Sequence, residues 1–501
     1  MSTLKISLLH PEILHSRVRE NRALIVSLAA DAADRGARIV VAPEMCLSGY
    51  VFQNRYAIAP YVETAEGPTA QTLAKLAKEK SIFLVAGFAE NDPATGVYYN
   101  SAFAWGPDGR LLTRYRKINA ESRWACPGEA SQDNVFETPW GRFGLLVCSD
   151  TYHSLPARTA ALKGAQALLV PANWPPSGAF PENVWRFRAL ENGLWLAAAN
   201  RTGNERDFDC RGCRSYVFTP EGKTLAEHQG DRSGTLAAEL PLGPEGSLES
   251  PRRDAILASR RPWLWHRLYA NLSFFRDLTA GFGLPAPGPT ELHLIAAGLG
   301  ADPAERLAEG RGRLAPGSLA VLPLRDWGEA ELSRLRELAG ERGITVVTAS
   351  DEGGERTHYV VTADGVESLP LPDDRPEPPL HVGTIAVELA RASDLVHPEH
   401  GIAAAKRGAD LMLAVEASAS PDDLFAVSMR PVDQTACALC AGDGAGVGLV
   451  PEGHMPGEGE AVSGEGWLTC TLDSARTRVK RFQDRADYQE IFRAAGAGPW
   501  E

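Results

Sequence analysis

The 501-residue sequence carries eight cysteines, too few for a disulfide scaffold in a chain of this length. That scarcity points to a reducing compartment, and a cytoplasmic protein is expected. Long apolar runs are missing too. None approaches the roughly 20 residues of a membrane span. The opening Met1-Ser-Thr-Leu-Lys-Ile-Ser-Leu-Leu has no charged segment leading into a long apolar one, so no signal peptide is expected. Positive charge is in deficit, 51 Lys and Arg against 64 Asp and Glu, a net of −13. This argues against nucleic acid and anionic membranes as partners and leaves a small-molecule substrate open. The eleven histidines show no ligand spacing, and no metal or other cofactor is expected. Cys210-Arg-Gly-Cys213 and Cys437-Ala-Leu-Cys440 read as packing rather than as a shared zinc site.

What is present is an ordinary globular balance, 44% hydrophobic and 23% charged, at a length that predicts two domains. Strands are predicted over residues 4–9, 37–44, 81–90, 98–105, 111–117, 135–138, 143–147, 167–173, 194–200, 214–219 and 235–240. Helices are predicted over 16–35, 68–80 and 181–193. Early alternation of strand and helix with later hairpins predicts an α/β protein: two sheets face to face with helices outside.

The run Arg142-Phe-Gly-Leu-Leu-Val-Cys148-Ser-Asp150 reads as a buried strand that delivers a thiol to the C-terminal edge of its sheet. That edge is where such folds place their chemistry. Alone, Cys148 reads more readily as a small buried hydrophobe, as most free cysteines do. Two other strand ends change the balance. One finishes on Glu44 and one on Lys117. Singly, Glu44 reads as a cap or surface acid and Lys117 as a snorkelling edge lysine. Together the three supply base, cation and nucleophile for acyl transfer at a carbon–nitrogen bond. His153, five residues on, leaves a Cys–His pair as an alternative.

These stretches resemble the nitrilase superfamily of carbon–nitrogen hydrolases over roughly residues 4–270. The motifs are Val41-Ala-Pro-Glu44-Met-Cys-Leu-Ser-Gly49-Tyr50, Arg114-Tyr-Arg-Lys117-Ile-Asn119 and Gly144-Leu-Leu-Val-Cys148-Ser-Asp150. They are followed by Pro171-Ala-Asn173-Trp174-Pro175, Arg188-Ala-Leu-Glu191-Asn192 and Ala198-Ala-Asn200-Arg201. The resemblance implies an αββα sandwich in which Glu44 is general base, Lys117 stabilises the intermediate and Cys148 forms a thioester. Many amidase-type members carry a second Glu before a Pro-Gly-acid motif. Glu121-Ser-Arg-Trp-Ala-Cys-Pro127-Gly128-Glu129 is similar, at a shorter spacing from the lysine, and makes Glu121 a fourth candidate. Ser149-Asp150 after the nucleophile resembles amidases and N-carbamoyl-amine hydrolases more than nitrile-cleaving members. A linear amide or N-carbamoyl amine is therefore the expected substrate, with nitrile hydrolysis and acyl transfer to an amine as alternatives. Tyr50, Trp124, Ser149, Tyr152, Asn173 and Trp174 are expected at the substrate, and for the tryptophans ordinary packing is the competing reading.

The second half reads as a worn copy of the first. Residues 241–290, with aromatics at Trp263, Trp265, Tyr269, Phe274 and Phe275, read as a tail and linker. This places a catalytic domain at 1–282 and a second nitrilase-like domain at 290–501. Aligning residues 317–324 with 37–44 puts Leu324 in place of Glu44. Aligning 381–389 with 142–150 puts Val387 in place of Cys148. The stretch 369–374, where a lysine belongs, has none. The second domain is expected to be inert, a scaffold or ligand-sensing relic. It would stand in for the partner subunit of a homo-oligomer and so make a pseudo-dimer within one chain.

Overall fold

The computed structural model describes residues 2–176, 180–206, 208–272, 277–298, 300–371, 378–450, 459–464, 466–480 and 490–491. In the first half, β1 (Thr3–His10), β2 (Ile39–Val41), β3 (Phe83–Asn91), β4 (Tyr98–Trp105) and β5 (Leu111–Arg116) belong to one sheet. β6 (Val135–Thr138), β7 (Gly141–Leu145), β8 (Ala167–Pro171) and β9 (Trp195–Ala199) belong to another. A small ribbon of β10 (Asn204–Glu205) and β11 (Phe208–Asp209) follows, then β12 (Arg214–Phe218), β13 (Thr224–Gln229) and β14 (Gly234–Pro241). The sheet orders are β14-β1-β2-β3-β4-β5 and β13-β12-β9-β8-β7-β6. The central strands β1, β2 and β3 run parallel, as do β7, β8 and β9. Near-continuous Val, Ile, Leu and Ala on these strands suit burial on both faces.

The two sheets pack through β1 on β9 and through β2 and β3 on β8. Helices Val18–Asp34 and Pro68–Lys80 cover the first sheet, burying Ile25, Ala29, Leu73 and Ala77 against Val40, Leu84 and Phe103. Helices Ser154–Leu162 and Pro181–Asn192 cover the second. Pro at the first turn starts Pro68–Lys80, and left-handed Gly193 ends Pro181–Asn192, as each residue's backbone preference dictates. The result is an αββα sandwich. β13 was not expected, because its alternating half-exposed residues form an outer edge.

The chain divides into two compact units, Met1–Ser259 with Gln483–Glu501, and Arg260–Phe482. The division falls earlier than the expected residue 282. The segment Pro262–Tyr269 buries Trp265 and Leu268, and Lys406 Nζ donates to the Leu268 carbonyl at 2.7 Å, so it belongs with the second unit. Phe274 and Phe275 lie outside the described residues.

The second unit repeats the fold. β15 (Pro289–Ala296), β16 (Leu319–Val321), β17 (Thr345–Glu352), β18 (Glu355–Val361), β19 (Val366–Pro370) and β26 (Gly466–Asp473) form one sheet in the order β19-β18-β17-β16-β15-β26. β20 (Leu380–Val382), β21 (Ile385–Ala390), β22 (Leu411–Val415), β23 (Ala436–Ala441), β24 (Gly444–Gly448) and β25 (Gly459–Ser463) form the other, in chain order. Strand for strand this is the first unit's topology, so the sandwich is present twice in tandem. Among the described residues no helix is long and apolar enough to cross a membrane.

Strand register corrects one alignment. β7 pairs Phe143 with Ala167, and β21 pairs Val387 with Leu411. Val387 therefore occupies the place of Phe143. The counterpart of Cys148 is Ala392, which opens a one-turn helix Ala392–Val396 as Cys148 opens Cys148–Tyr152.

Candidate active site

β2 ends at Val41, and the next three residues carry Glu44 over the end of the sheet. Ala42 N–H donates to Val85 O at 2.8 Å, Gly87 N–H to Pro43 O at 3.1 Å, and Cys46 N–H to Gly87 O at 3.2 Å. Met45 turns the chain back at φ 50°. Lys117 leaves β5 with its N–H on the Asn100 carbonyl at 2.7 Å. Cys148 follows β7 in the left-handed region, φ 46°, where a residue with a β-carbon is strained. The Asp150 carboxylate holds that turn. It accepts from Val147 N–H at 3.2 Å, from Asn119 N–H at 2.8 Å and from the Tyr115 hydroxyl at 2.9 Å. One side chain thus ties the lysine segment to the cysteine segment.

The side chains converge inside the first unit. Lys117 Nζ donates to Glu44 Oε1 and to Glu121 Oε1, both at 2.6 Å. Asn100 Nδ2 donates to Glu44 Oε1 at 2.7 Å and to Glu121 Oε2 at 2.9 Å. The Tyr50 hydroxyl donates to Glu121 Oε1 at 2.8 Å. Glu44 Oε2 takes no hydrogen bond of ordinary length from the described residues, and the Cys148 thiol is the donor that the carboxylate still faces.

The two carboxylates are pushed apart in acidity. Burial raises Glu44; Lys117 opposes it, the charge of Glu121 adds to it, and the net is upward. Burial would raise Glu121 too, but Lys117 and the hydrogen bonds from Lys117, Asn100 and Tyr50 hold it below the ordinary value. Burial works against the Lys117 ammonium, yet Glu121 and Glu44 keep it well above its usual range. Burial, then Glu44, drive the Cys148 thiol well up, while Lys117 and the backbone N–H of Asn173 favour its thiolate. The site holds a buried lysine between two carboxylates whose acidities are shifted in opposite directions, and a thiol whose ionisation burial opposes.

The carbon–nitrogen hydrolase family model matches residues 5–248. A Pyrococcus abyssi protein named nitrilase is 32% identical over 238 residues, 47% of this chain and 87% of that protein. The chain belongs to the carbon–nitrogen hydrolase family. The omega-amidase NIT2 of Xenopus tropicalis is 30% identical over 257 residues, 48% of this chain and 90% of that protein. Among solved structures, an amidase of Nesterenkonia AN1 from the nitrilase superfamily aligns at 28% identity and a TM-score of 0.43, over 48% of this chain and 92% of that one.

In this carbon–nitrogen hydrolase the expected Glu44, Lys117, Cys148, Glu121 and Tyr50 stand together. Ser149 is beside them, its hydroxyl on the Asn119 carbonyl at 3.2 Å. The Tyr152 and Trp174 rings meet at 4.3 Å, and burial, then Cys148, raise the Tyr152 phenol. Asn173 offers the thiol its backbone N–H, while its side-chain oxygen accepts from Cys210 Sγ at 3.5 Å. Trp124 packs with Met45, Phe52, Ile58 and Ala89. His153 is brought down to about 4 by burial and the charge of Arg188, and Glu44 is the carboxylate at the thiol. Cys437 and Cys440 are buried on β23, three apart, so they face opposite sides of the sheet.

Asn100, Asp150 and Glu205 were not singled out from the sequence as site residues. Glu205 accepts from Tyr50 N–H at 2.8 Å and Val51 N–H at 3.2 Å, and pairs with Arg201 and His15. Left-handed Gly49 lies so close that a β-carbon there would meet Glu205 Oε1 at 2.8 Å. Glu205 therefore fixes the loop that presents Tyr50.

The second unit carries different groups at the same places. Leu324 follows β16 as Glu44 follows β2. Leu371 N–H donates to the Arg356 carbonyl at 2.8 Å, as Lys117 N–H does to Asn100, so Leu371 replaces Lys117 and Arg356 replaces Asn100. Residues 372–374 lie outside the described residues. Arg356 pairs with Glu416 at 3.1 Å, and Glu416 Oε1 accepts from Ala392 N–H at 2.8 Å.

Proposed function

We propose that the first unit hydrolyses the carbon–nitrogen bond of a small linear amide or N-carbamoyl amine through a thioester on Cys148. The observation that carries this reading is the asymmetry of Glu44. One carboxylate oxygen accepts from Lys117 and Asn100, the other is buried without a hydrogen-bond partner among the described residues, and the Cys148 thiol lies against this carboxylate. As Cys148 Sγ attacks the carbonyl carbon, Glu44 takes the thiol proton. Two of the three Lys117 N–H donors go to carboxylates, and the third stabilises the oxyanion. Glu44 returns its proton to the departing nitrogen, which leaves as ammonia or an amine. Glu44 then deprotonates water, which attacks the thioester carbonyl and expels the sulfur. Cys148 recovers a proton through Glu44, and the acyl part leaves as an acid. Glu121 stays ionised and anchors Lys117 and Tyr50.

The second unit is inert in this reading. Leu324, Leu371 and Ala392 offer no base, cation or nucleophile, and the Arg356–Glu416 pair occupies the corresponding ground.

The test is release of ammonia and amine from a panel of linear amides, N-carbamoyl amines and nitriles, set against Cys148→Ala. Release from amides or N-carbamoyl amines that vanishes in the variant supports the reading. Turnover of nitriles alone, or release that survives in the variant, sinks it.

A further inference from the structure

Asn100 sits mid-strand on β4, fully buried, in a run that is otherwise mostly apolar. Its main chain and side chain serve the same cluster. The carbonyl receives the Lys117 N–H at 2.7 Å, which sets where the lysine leaves the sheet. The amide nitrogen then reaches both carboxylates, Glu44 Oε1 at 2.7 Å and Glu121 Oε2 at 2.9 Å.

We propose that Asn100 is a positioning residue that makes Glu44 a one-sided base, occupying Oε1 so that the proton exchanged with Cys148 travels on Oε2. This deepens the hydrolase reading and rests on it.

The argument is one of donors and acceptors. A primary amide has two N–H bonds fixed in one plane. Given one to each carboxylate, they set the separation of two groups that would otherwise repel. Lys117 also touches both, but its ammonium is carried on a flexible stem without the fixed plane of an amide, and it is itself needed at the oxyanion. Asn100 is neutral and does not ionise, so it orients the carboxylates without taking part in proton transfer. With Lys117 and Asn100 both donating to Oε1, protonation there would cost one of those bonds. Protonation at Oε2 costs neither. Remove the amide and Oε1 becomes a competing site for the proton, from which it is not delivered to sulfur or nitrogen. The groups that face Glu44 are Lys117, Glu121, Tyr50 and Cys148, and in this picture only their spacing, not their identity, depends on Asn100.

The experiment compares the full chain with Asn100→Ala and Asn100→Asp. The first reading is the pH dependence of Cys148 alkylation by iodoacetamide, followed by peptide mass. It needs no substrate and remains readable if no amide is turned over. The second is kcat and KM against pH on the best amide of the panel. A hydrogen bond to the ionised form favours that form, so its loss moves the acid limb of both profiles to higher pH. The expected shift in Asn100→Ala is about one pH unit, with kcat down roughly 10- to 100-fold and KM within about threefold. Asn100→Asp adds a third carboxylate and is expected to shift the limb further. An acid limb that stays in place in both variants, or a loss confined to KM, overturns the proposal. If Asn100→Ala does not fold, Asn100→Ser, with one donor left, must give a smaller shift in the same direction than Asn100→Asp. A shifted alkylation profile beside a silent amide panel keeps Asn100 in its role and removes the hydrolase reading alone.

Discussion

A β-carbon placed on Gly87 would lie 2.5 Å from the α-carbon of Glu44. The neighbouring strand carries no side chain at this point, so the Glu44 turn can rest on it, bonded through Pro43 O and Cys46 N–H. Gly87→Ala must push that turn away. Crowding of this kind costs about 1 to 3 kcal/mol, so the melting temperature should fall by several degrees, while kcat should fall about 100-fold for a displacement near 1 Å. Thermal unfolding and amide turnover measured on the same preparation check this. A variant as active as the parent would show that the turn tolerates the shift.

Glu205 is the second support. Its carboxylate is paired with buried Arg201 and receives the N–H groups of Tyr50 and Val51. Glu205→Gln leaves the Arg201 charge uncompensated, a change that costs about 3 kcal/mol or more in buried pairs. Chemical denaturation should register that loss. Turnover should fall too, because Tyr50 no longer holds Glu121 firmly.

Asp150 gives the fold a pH signature. Burial raises its carboxyl to about 6 from an ordinary 3.8. The folded protein therefore holds a proton there that the unfolded chain has released. Stability is greatest below the unfolded value and declines as pH rises from about 4 to about 6, by about 3 kcal/mol for this group. Asp150→Asn should flatten the slope in that window. Glu44 is also raised and contributes a slope of the same sign to both proteins, so the difference between the two curves isolates Asp150. Unfolding free energies from pH 4 to pH 7 provide the comparison.

The second unit should remain silent even when given a nucleophile. In a Cys148→Ala background, Ala392→Cys supplies a thiol, with Leu324 and Leu371 where base and cation belong. No amide turnover is expected above the Cys148→Ala level. Glu416→Gln should destabilise that unit by about 1 to 2 kcal/mol, since Arg356 is left with Asp351 alone as charge partner and Ala392 N–H loses a charged acceptor. A double variant that turned over amide would end the case for inertness.

Much of this was legible in the sequence, for identifiable reasons. The strands that carry Glu44, Lys117 and Cys148 are short apolar runs ending in a charge or a thiol, and a run of that kind has few other uses. Asn100 is hidden in the sequence because Asn100-Ser101 inside Tyr98–Trp105 looks like ordinary strand alternation. The signal available was a polar pair in the middle of a strand otherwise fit for complete burial. Glu205 was invisible because its partners Tyr50 and Val51 lie about 150 residues away. The second unit's alignment slipped by five residues at Val387, since one apolar run matches another at any offset. The landmark that fixes it is polar. Asp394 caps its turn through Arg391 N–H as Asp150 does through Val147 N–H.

The left-handed backbone at Cys148 and Met45 separates the two units at the main chain as well as at the side chains. Among the described residues, non-glycine positive φ values fall at six places, and neither Ala392 nor Arg325, the residues after β21 and β16 that stand at those positions, is one of them. The copy has relaxed its main chain as well as exchanging its side chains. Grafting glutamate, lysine and cysteine there is therefore not expected to give amide turnover, because a thiol on a relaxed turn would project along a different direction. Within one polypeptide, the second sandwich serves as an internal reference for what the first expends in conformational energy to keep its sulfur aimed.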